Sequence, residues 1–393
     1  MNGARADATS IPGVTMGVEE EFLLLDSVSA QAVPRAGLVL ADAAVLPGEV
    51  EFEGATLQPE LLRSQVEAAT GRCATVRQLG DQLGAARRRL ARAAGKQAAV
   101  LVSSGTPVLD GPPPGITGGD RFERIAGAYE AVVTDYQACG CHVHVAVPDE
   151  EVAVAVVDHL RPWLPTLLAW SANSPFHRGL DTGYASWRMV QQMRFPGSGV
   201  PPHFGSAAAY RDQVARLVEC GTLVDPEMSF WLVRPSPRLP TVELRVADAM
   251  TTVGETVLHA ALARALVRTA LDEVSRGKPA PVVRDQVAAA AVWAAARHGM
   301  RSSLVDPVRE SRVPAARLLR ELVEWVTPAL ASTGDVAVVL DSLERLARRG
   351  GGAQRQRRHA ALGLHALVRA LARGTCPGQP DDRPSPDMIE EHR

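Results

Sequence analysis

The chain carries acidic residues where a buried strand is expected. In Gly17-Val18-Glu19-Glu20-Glu21-Phe22-Leu23-Leu24-Leu25, three carboxylates run straight into an apolar stretch. Side chains of an extended strand alternate between faces, so Glu19 and Glu21 project together and Glu20 projects the other way. Two unpaired carboxylates on one buried face repel each other and are costly to desolvate. A divalent cation removes both difficulties. Glu243 and Arg245 repeat the pattern in Thr241-Val-Glu-Leu-Arg-Val-Ala247, with Val242, Leu244 and Val246 on the opposite face. The alternative for that strand is an antiparallel element with one solvated face.

Cys139-Gly-Cys-His-Val-His-Val-Ala-Val147 reads as a strand by its alternation and β-branching. His142 and His144 share one face; Cys139 and Cys141 share the other with Val143 and Val145. Cysteine and histidine at close spacing suggest zinc, but one ion cannot easily recruit both faces of a strand, which favours packed cysteines. The histidine pair fits a polar site, or two satisfied structural histidines. Glu60 and Glu67 lie either two helical turns apart or in a loop and a strand. In the second case Gln65 and Glu67 share a face and Glu60 enters from outside. Hard cations such as Mg²⁺ take oxygen ligands and bind substrate phosphates. A sheet face carrying Glu19, Glu21, Glu67 and Glu243, with His142 nearby, could hold two or three. Arg194, Arg234 and Arg245 would complement it, since guanidinium forks suit carboxylate and phosphate. Acids, metal and arginines together point to phosphoryl transfer on an anionic substrate. The sequence has neither a Gly-x4-Gly-Lys-Ser/Thr phosphate loop nor a dinucleotide-binding glycine fingerprint.

The elements that must position these residues are mixed. A strand is expected near 15–25, followed by an irregular acidic stretch (Glu49, Glu51, Glu53) and a second strand around 57–70. A helix over about 72–95 has Val76, Leu79, Leu83, Ala86 and Leu90 at helical spacing. Val100–Ser103 reads as a buried strand ended at Gly105-Thr106-Pro107, and residues 111–119 as a surface loop. Helices near 121–136 and 149–172 flank the histidine strand. An irregular segment over 173–206 is long enough to be functional. From 254 to 373 only helices are expected, broken at Pro279–Pro281, Pro307, Pro314 and Gly350–Gly352. The fold class is α+β, with a helical C-terminal half. One domain is expected over 14–373, with disordered ends at 1–13 and 374–393.

Bulk properties narrow the function. The 393 residues are 46% hydrophobic and 22% charged, with a net charge of −2, which gives no electrostatic reason to bind nucleic acid or membrane. Lys96 and Lys278 are the only lysines, and the five cysteines are thinly spread. The polar start and interrupted apolar runs indicate a reduced, cytoplasmic protein without a membrane span.

The ordered motifs resemble a known family. Gly17-Val-Glu-Glu-Glu-Phe22 is followed by Glu60-x6-Glu67-Ala-Ala-Thr70 and Gly140-Cys-His-Val-His-Val145. Arg234-Pro-Ser-Pro237 then precedes Thr241-Val-Glu-Leu-Arg-Val246. Together they are similar to the type 2 glutamate–cysteine ligases, the YbdK-like carboxylate–amine ligases, over about 15–373. Thr182-Gly-Tyr-Ala-Ser186, Arg121-Phe122 with Tyr129, and Gln354-Arg-Gln-Arg357 also match. The resemblance implies a glutamine-synthetase-like fold, an antiparallel sheet curved into a funnel, covered outside by helices and binding ATP and Mg²⁺ or Mn²⁺ on its concave face. It implies ATP-dependent amide formation through an acyl phosphate, joining the γ-carboxylate of L-glutamate to the amine of L-cysteine, as in thiol biosynthesis. Carried over by motif, Glu19, Glu21, Glu60, Glu67, His142 and Glu243 fall at metal positions. Arg245, Arg194 and Arg234 fall at catalytic ones, and Arg245, Arg234 and His144 at nucleotide positions. Many members of that family carry Gly-Thr-His-Pro after the strand near 100, where this chain has Gly105-Thr106-Pro107 without the histidine, which leaves a different amine acceptor open. A non-catalytic nucleotide or amino-acid binder and a metal-dependent hydrolase are the other readings, and the helical half could support a homo-oligomer.

Overall fold

The computed structural model describes residues 11–46 and 52–376. Expectations for residues 1–10 and 377–393, and for Glu49 and Glu51, fall outside them. The central element is a seven-stranded antiparallel sheet. Its strands are β1 (Met16–Asp26), β2 (Thr56–Pro59), β3 (Gln65–Ala69), β4 (Ala99–Val102), β5 (Gly140–Ala146), β6 (Val233–Pro235) and β7 (Thr241–Asp248). The order is β6-β7-β5-β1-β3-β2, with β4 also paired to β1. β1 therefore lies against three partners, and its register sets Glu21 opposite Glu67 and Glu19 opposite both Ala69 and His142. The apolar run of β1 is what allows this central place, because Phe22 to Leu25 are fully buried.

Alternation along β1 divides the protein. Met16 and Val18 enter the main core with Cys141, Val143, Val145, Val242 and Leu244. Phe22 and Leu24 pack against α1 (Ala36–Ala44) and α2 (Val76–Lys96). Glu20 lies on that side too, and it meets Arg87 of α2, both 1% exposed. Arg87 Nε donates to Glu20 Oε2 at 3.0 Å and Nη2 to Oε1 at 2.5 Å, while Nη1 donates to the Thr251 carbonyl at 2.8 Å. α2 begins at a reciprocal cap between Thr75 and Gln78, which fixes its helical phase and so places Arg87. The opposite face of β1 carries Glu19 and Glu21, then Leu23 and Leu25, which pack under the final helix, Leu364–Thr375.

Several elements depart from expectation. The strand around 57–70 is two strands, β2 and β3, and Glu60 sits in the loop between them. The helix over 121–136 is interrupted at Glu130, whose φ is +46°. The helix over 149–172 is three pieces, because Pro162 and Pro165 introduce a short 3₁₀ turn at Arg161–Trp163. Within 173–206 a short helix, α3 (Trp187–Gln192), is capped by Ser186. The segment beyond 254 is not wholly helical. Ser303–Asp306 and Ser311–Pro314 form a hairpin, with Leu304 and Val313 turned inward. Those alternating runs are four residues each, too short to stand out among helices. The last helix continues past residue 373 and buries Cys376. Among the described residues no helix is long and apolar enough to cross a membrane.

Among the described residues, the core of the helical half holds a titratable group without a hydrogen-bond partner. His259 on helix Val253–Ser275 is 0% exposed, both its ring nitrogens lack hydrogen bonds, and it packs beside Trp170 at 6.1 Å. Burial depresses its pKa from 6.5 to about 3. The unfolded chain therefore takes up a proton that the folded one refuses, and stability is lost as pH falls below 6.5. Urea titrations of His259→Leu should show a flatter acid limb, with a difference on the order of 4 kcal/mol between neutral pH and pH 3. An unchanged limb would show that this site is hydrated.

Candidate metal and phosphoryl-transfer site

Three strands bring the acids together on one face. Glu19 and Glu21 come from β1, His142 and His144 from β5, and Glu67 from β3. Glu243 and Arg245 come from β7, and Arg234 from β6. With Glu60 from the β2–β3 loop they line a cleft of ≈ 440 Å³. The outer wall is apolar, formed by Leu61, Phe122, Ile125, Met228 and Phe230. Arg121 and Tyr129 secure that wall: Arg121 Nε donates to Asp225 Oδ2 at 2.9 Å, and Tyr129 donates to the Thr222 carbonyl at 2.5 Å.

Ligand atoms converge at two places. Oxygens of Glu21, Glu60 and Glu67 lie within 4.8 Å of one another, and so do atoms of Glu19, His144 and Glu243. His142 joins neither group; its Nδ1 is 3.3 Å from Glu19 Oε2 and its Nε2 is 3.7 Å from Glu21 Oε1, so it spans the two. Arg194 does not line the cleft. Its guanidinium pairs with Asp135 at 3.2 Å and returns to the Gln191 carbonyl. Cysteines belong to neither group; Cys141 is in the core, and Cys139 Sγ accepts from Gln65 Nε2 at 3.0 Å.

The acids are neutralised unequally. Glu243 is 2% exposed and held by two arginines: Arg234 Nε donates to it at 2.8 Å, and Arg245 donates to its other oxygen. Burial works against its ionisation, but the two guanidinium charges hold its carboxyl well below the usual range. Burial likewise opposes ionisation of Glu19, and hydrogen bonds from His142 and His144 outweigh it. Burial also acts against the His144 cation, but Glu19 and Glu243 raise its pKa; His142 is lowered by burial and then by Arg245. Glu67 accepts from Gln58 Nε2 at 2.5 Å but pairs with no cation among the described residues. Burial first, then Glu60, Glu19 and Glu21, push its pKa well above the ordinary value. A group of carboxylates whose oxygens converge within 4.8 Å in a buried setting fits a divalent ion with oxygen ligands, which would relieve their mutual repulsion.

Geometry re-aims Arg245 in particular. The β5–β7 register shifts between Leu244 and Ala247, so Arg245 and Val246 together face His142. Such a bulge turns a side chain out of the regular pleat. Arg188 of α3 also reaches the cleft, and sequence reasoning missed it. It lies within the long irregular segment, where no alternation reveals which way a side chain points.

Glu19 and Glu20 are chain neighbours with opposite surroundings, so their amide variants should part. Glu20→Gln leaves Arg87 buried without its counter-charge and should cost about 3–5 kcal/mol of stability, with Mn²⁺ affinity kept. Glu19→Gln should weaken Mn²⁺ binding by about tenfold or more and cost little stability. Calorimetric titration with Mn²⁺ beside denaturant unfolding measures both. Equal effects in the two variants would contradict the division of faces.

Comparison with known proteins agrees with this layout. Residues 15–376 match the model of glutamate–cysteine ligase family 2. A provisionally named glutamate–cysteine ligase 2-2 of Saccharopolyspora erythraea is 58% identical over 370 residues, 94% of each chain. A provisionally named glutamate–cysteine ligase 2-1 of Nocardia farcinica is 44% identical over 366 residues, 93% of this chain and 94% of that one. Among solved structures, the glutamate–cysteine ligase of Francisella tularensis in complex with AMP superposes with a TM-score of 0.64. The match covers 93% of this chain and 89% of that one at 12% identity. A bifunctional glutathione synthetase from Pasteurella multocida gives 0.62 over 92% of this chain and 51% of that one, at 13% identity. These two likenesses show a shared fold, the mixed helix and antiparallel sheet of the glutamine-synthetase-like ligases.

Proposed function

The chain belongs to glutamate–cysteine ligase family 2, whose members are carbon–nitrogen ligases, and from that premise we propose that it uses ATP to join the γ-carboxylate of L-glutamate to the amine of L-cysteine. One observation carries the reading: two groups of ligand atoms converge in the same cleft as Arg234 and Arg245. Mg²⁺ or Mn²⁺ held by Glu21, Glu60 and Glu67 and by Glu19, His144 and Glu243 would neutralise the polyphosphate. Two sheet residues and the outer wall then contribute. Glu243 holds Arg245 and Arg234 in fixed directions, so the donors need not reorganise as charge develops. His142, kept neutral by burial and Arg245, spaces the two acidic groups. The apolar wall at Phe122, Ile125 and Phe230 excludes water from the reacting carboxyl.

In the reaction a γ-carboxylate oxygen attacks the γ-phosphorus, and ADP leaves. The amine nitrogen then attacks the acyl carbon, and phosphate departs with the former carboxylate oxygen. The amine gives up a proton as the amide forms. Exclusion of water keeps the acyl phosphate from hydrolysis before the amine arrives. The working compartment on this reading is the cytoplasm.

A second reading keeps the chemistry and changes the acceptor. Two features favour it: the apolar wall beside the acids, and Gly105-Thr106-Pro107 without the family's histidine. Phosphate release with ATP, Mg²⁺, glutamate and a panel of single amines separates the two. Release that rises only with cysteine, with γ-glutamylcysteine seen by mass, is the expected outcome. A response to an apolar amine alone would replace the acceptor. Silence across the panel with ATP still bound would leave a binding protein.

A further inference from the structure

Every other guanidinium lining the cleft has a carboxylate partner: Arg121 with Asp225, Arg234 and Arg245 with Glu243, and Arg238 with Glu227. Among the described residues Arg188 has none within hydrogen-bond reach. Its side chain is 3% exposed, and its nearest carboxylate oxygen is Asp248 Oδ1 at 3.9 Å. Nε and Nη1 are buried without partners. Nη2 donates to the carbonyl of Arg245 at 3.2 Å. A buried charge set this way is costly to keep for packing alone.

Its contacts lie behind the site. The carbonyl it holds belongs to the bulge that aims Arg245. Nη2 also lies against Gly140, where an added Cβ would sit 2.4 Å away. Gly140 in turn donates its backbone N–H to Glu21 Oε2 at 2.6 Å. One guanidinium therefore touches the backbone that directs the Arg245 side chain and the residue that holds Glu21.

Asp248 anchors the arrangement. It is fully buried at the end of β7 and accepts from the Asn173 backbone and from the Ser174 and Ser186 hydroxyls, each at 2.7 Å. Ser174 Oγ accepts from the Arg188 backbone N–H at 3.1 Å, and Gln356 Nε2 donates to Asn173 Oδ1 at 2.9 Å. Gly105 leaves room beside it, since a Cβ there would lie 2.8 Å from the Asp248 carboxyl carbon. Residues 105–107 and 182–186 thus meet at this carboxylate, and 354–357 reaches it through Asn173.

We propose that Arg188, set by Asp248, is a positioning residue: it holds the Arg245 bulge and the Gly140 edge so that Arg245 and Glu21 face the substrate together. The proposal rests on the ligase reading above for its kinetic consequence, and on geometry alone for its effect on metal binding.

Two variants test it. Arg188→Met removes the guanidinium; Gly140→Ala displaces it while keeping every charge and the backbone N–H to Glu21. Both should weaken Mn²⁺ binding about tenfold and lower kcat about 100-fold, with KM for ATP and glutamate within about threefold. Arg188→Lys should recover part of kcat. The direction of the Mn²⁺ effect discriminates, because removing a cation near Glu21 would by charge alone tighten Mn²⁺. Unchanged or tighter Mn²⁺ binding in Gly140→Ala overturns the proposal, and so does an unchanged kcat in a folded Arg188→Met. If Arg188→Met fails to fold, Gly140→Ala decides. If the unaltered protein turns over no amine, the ligase reading falls and the Mn²⁺ titration still judges the positioning role.

Discussion

A carboxylate buried in a sheet must be neutralised, and the way each one is neutralised organises this protein. Glu20 is met by Arg87 on the helical face, with every donor of that guanidinium occupied by the carboxylate or by backbone carbonyls. Glu243 is met by two arginines, and Glu19 by two histidines. Glu21, Glu60 and Glu67 have no arginine paired to them among the described residues; Glu21 accepts from the Gly140 N–H with His142 Nε2 at 3.7 Å, and Glu67 accepts from Gln58 Nε2 at 2.5 Å. This least compensated group sits at the centre of the sheet, where β1 pairs with three strands. A pair such as Glu20–Arg87 adds little net stability over an apolar replacement, but breaking it leaves an uncompensated charge. It therefore enforces the phase of α2 and the register of β1, and with them the direction in which Glu19 and Glu21 point.

The same constraint links packing to function. The cores that hold β1 in place also keep Glu67, His142 and Glu243 buried at the floor of the cleft, and burial strengthens the charge interactions those groups make. Arg245 is useful only if it is held before substrate arrives. Glu243 fixes its head group, the bulge fixes its backbone, and the network around Asp248 lies directly behind that bulge. Preorganisation of this kind is where electrostatic catalysis gains its advantage over water.

Much of the site was legible in the chain because period-two alternation is a strict rule in strands. It separated Glu19 and Glu21 from Glu20, His142 and His144 from Cys141, and Glu243 and Arg245 from the valines, but it misplaced Cys139, which precedes the strand and packs with Leu23 and Leu25 instead of with Cys141. It located Glu60 and Glu67 only up to a choice, which the strand pairing of β3 with β1 resolves. Arg234 was placed by motif and lies in the cleft; Arg194, chosen by the same kind of argument, pairs with Asp135 instead. Arg188 was missed because its helix is six residues long, inside a segment with no periodic signal. The helices Ala36–Ala44 and Ala207–Glu219 and the hairpin at 303–314 were missed for a related reason. Their order comes from contacts distant in sequence, and single prolines decided local breaks that composition alone averages away.

The central claim is that this carboxylate-lined face activates a substrate carboxyl by taking the γ-phosphoryl group of ATP onto it. The most direct measurement uses glutamate labelled with ¹⁸O in its γ-carboxylate, with ATP, Mg²⁺ and the responding amine, followed by mass analysis of the released phosphate. The account predicts one ¹⁸O in each phosphate, because the carboxylate oxygen leaves with the phosphoryl group when the amine attacks. Phosphate without label would mean that water takes the phosphoryl group, and the cleft would then be the site of a metal-dependent hydrolase.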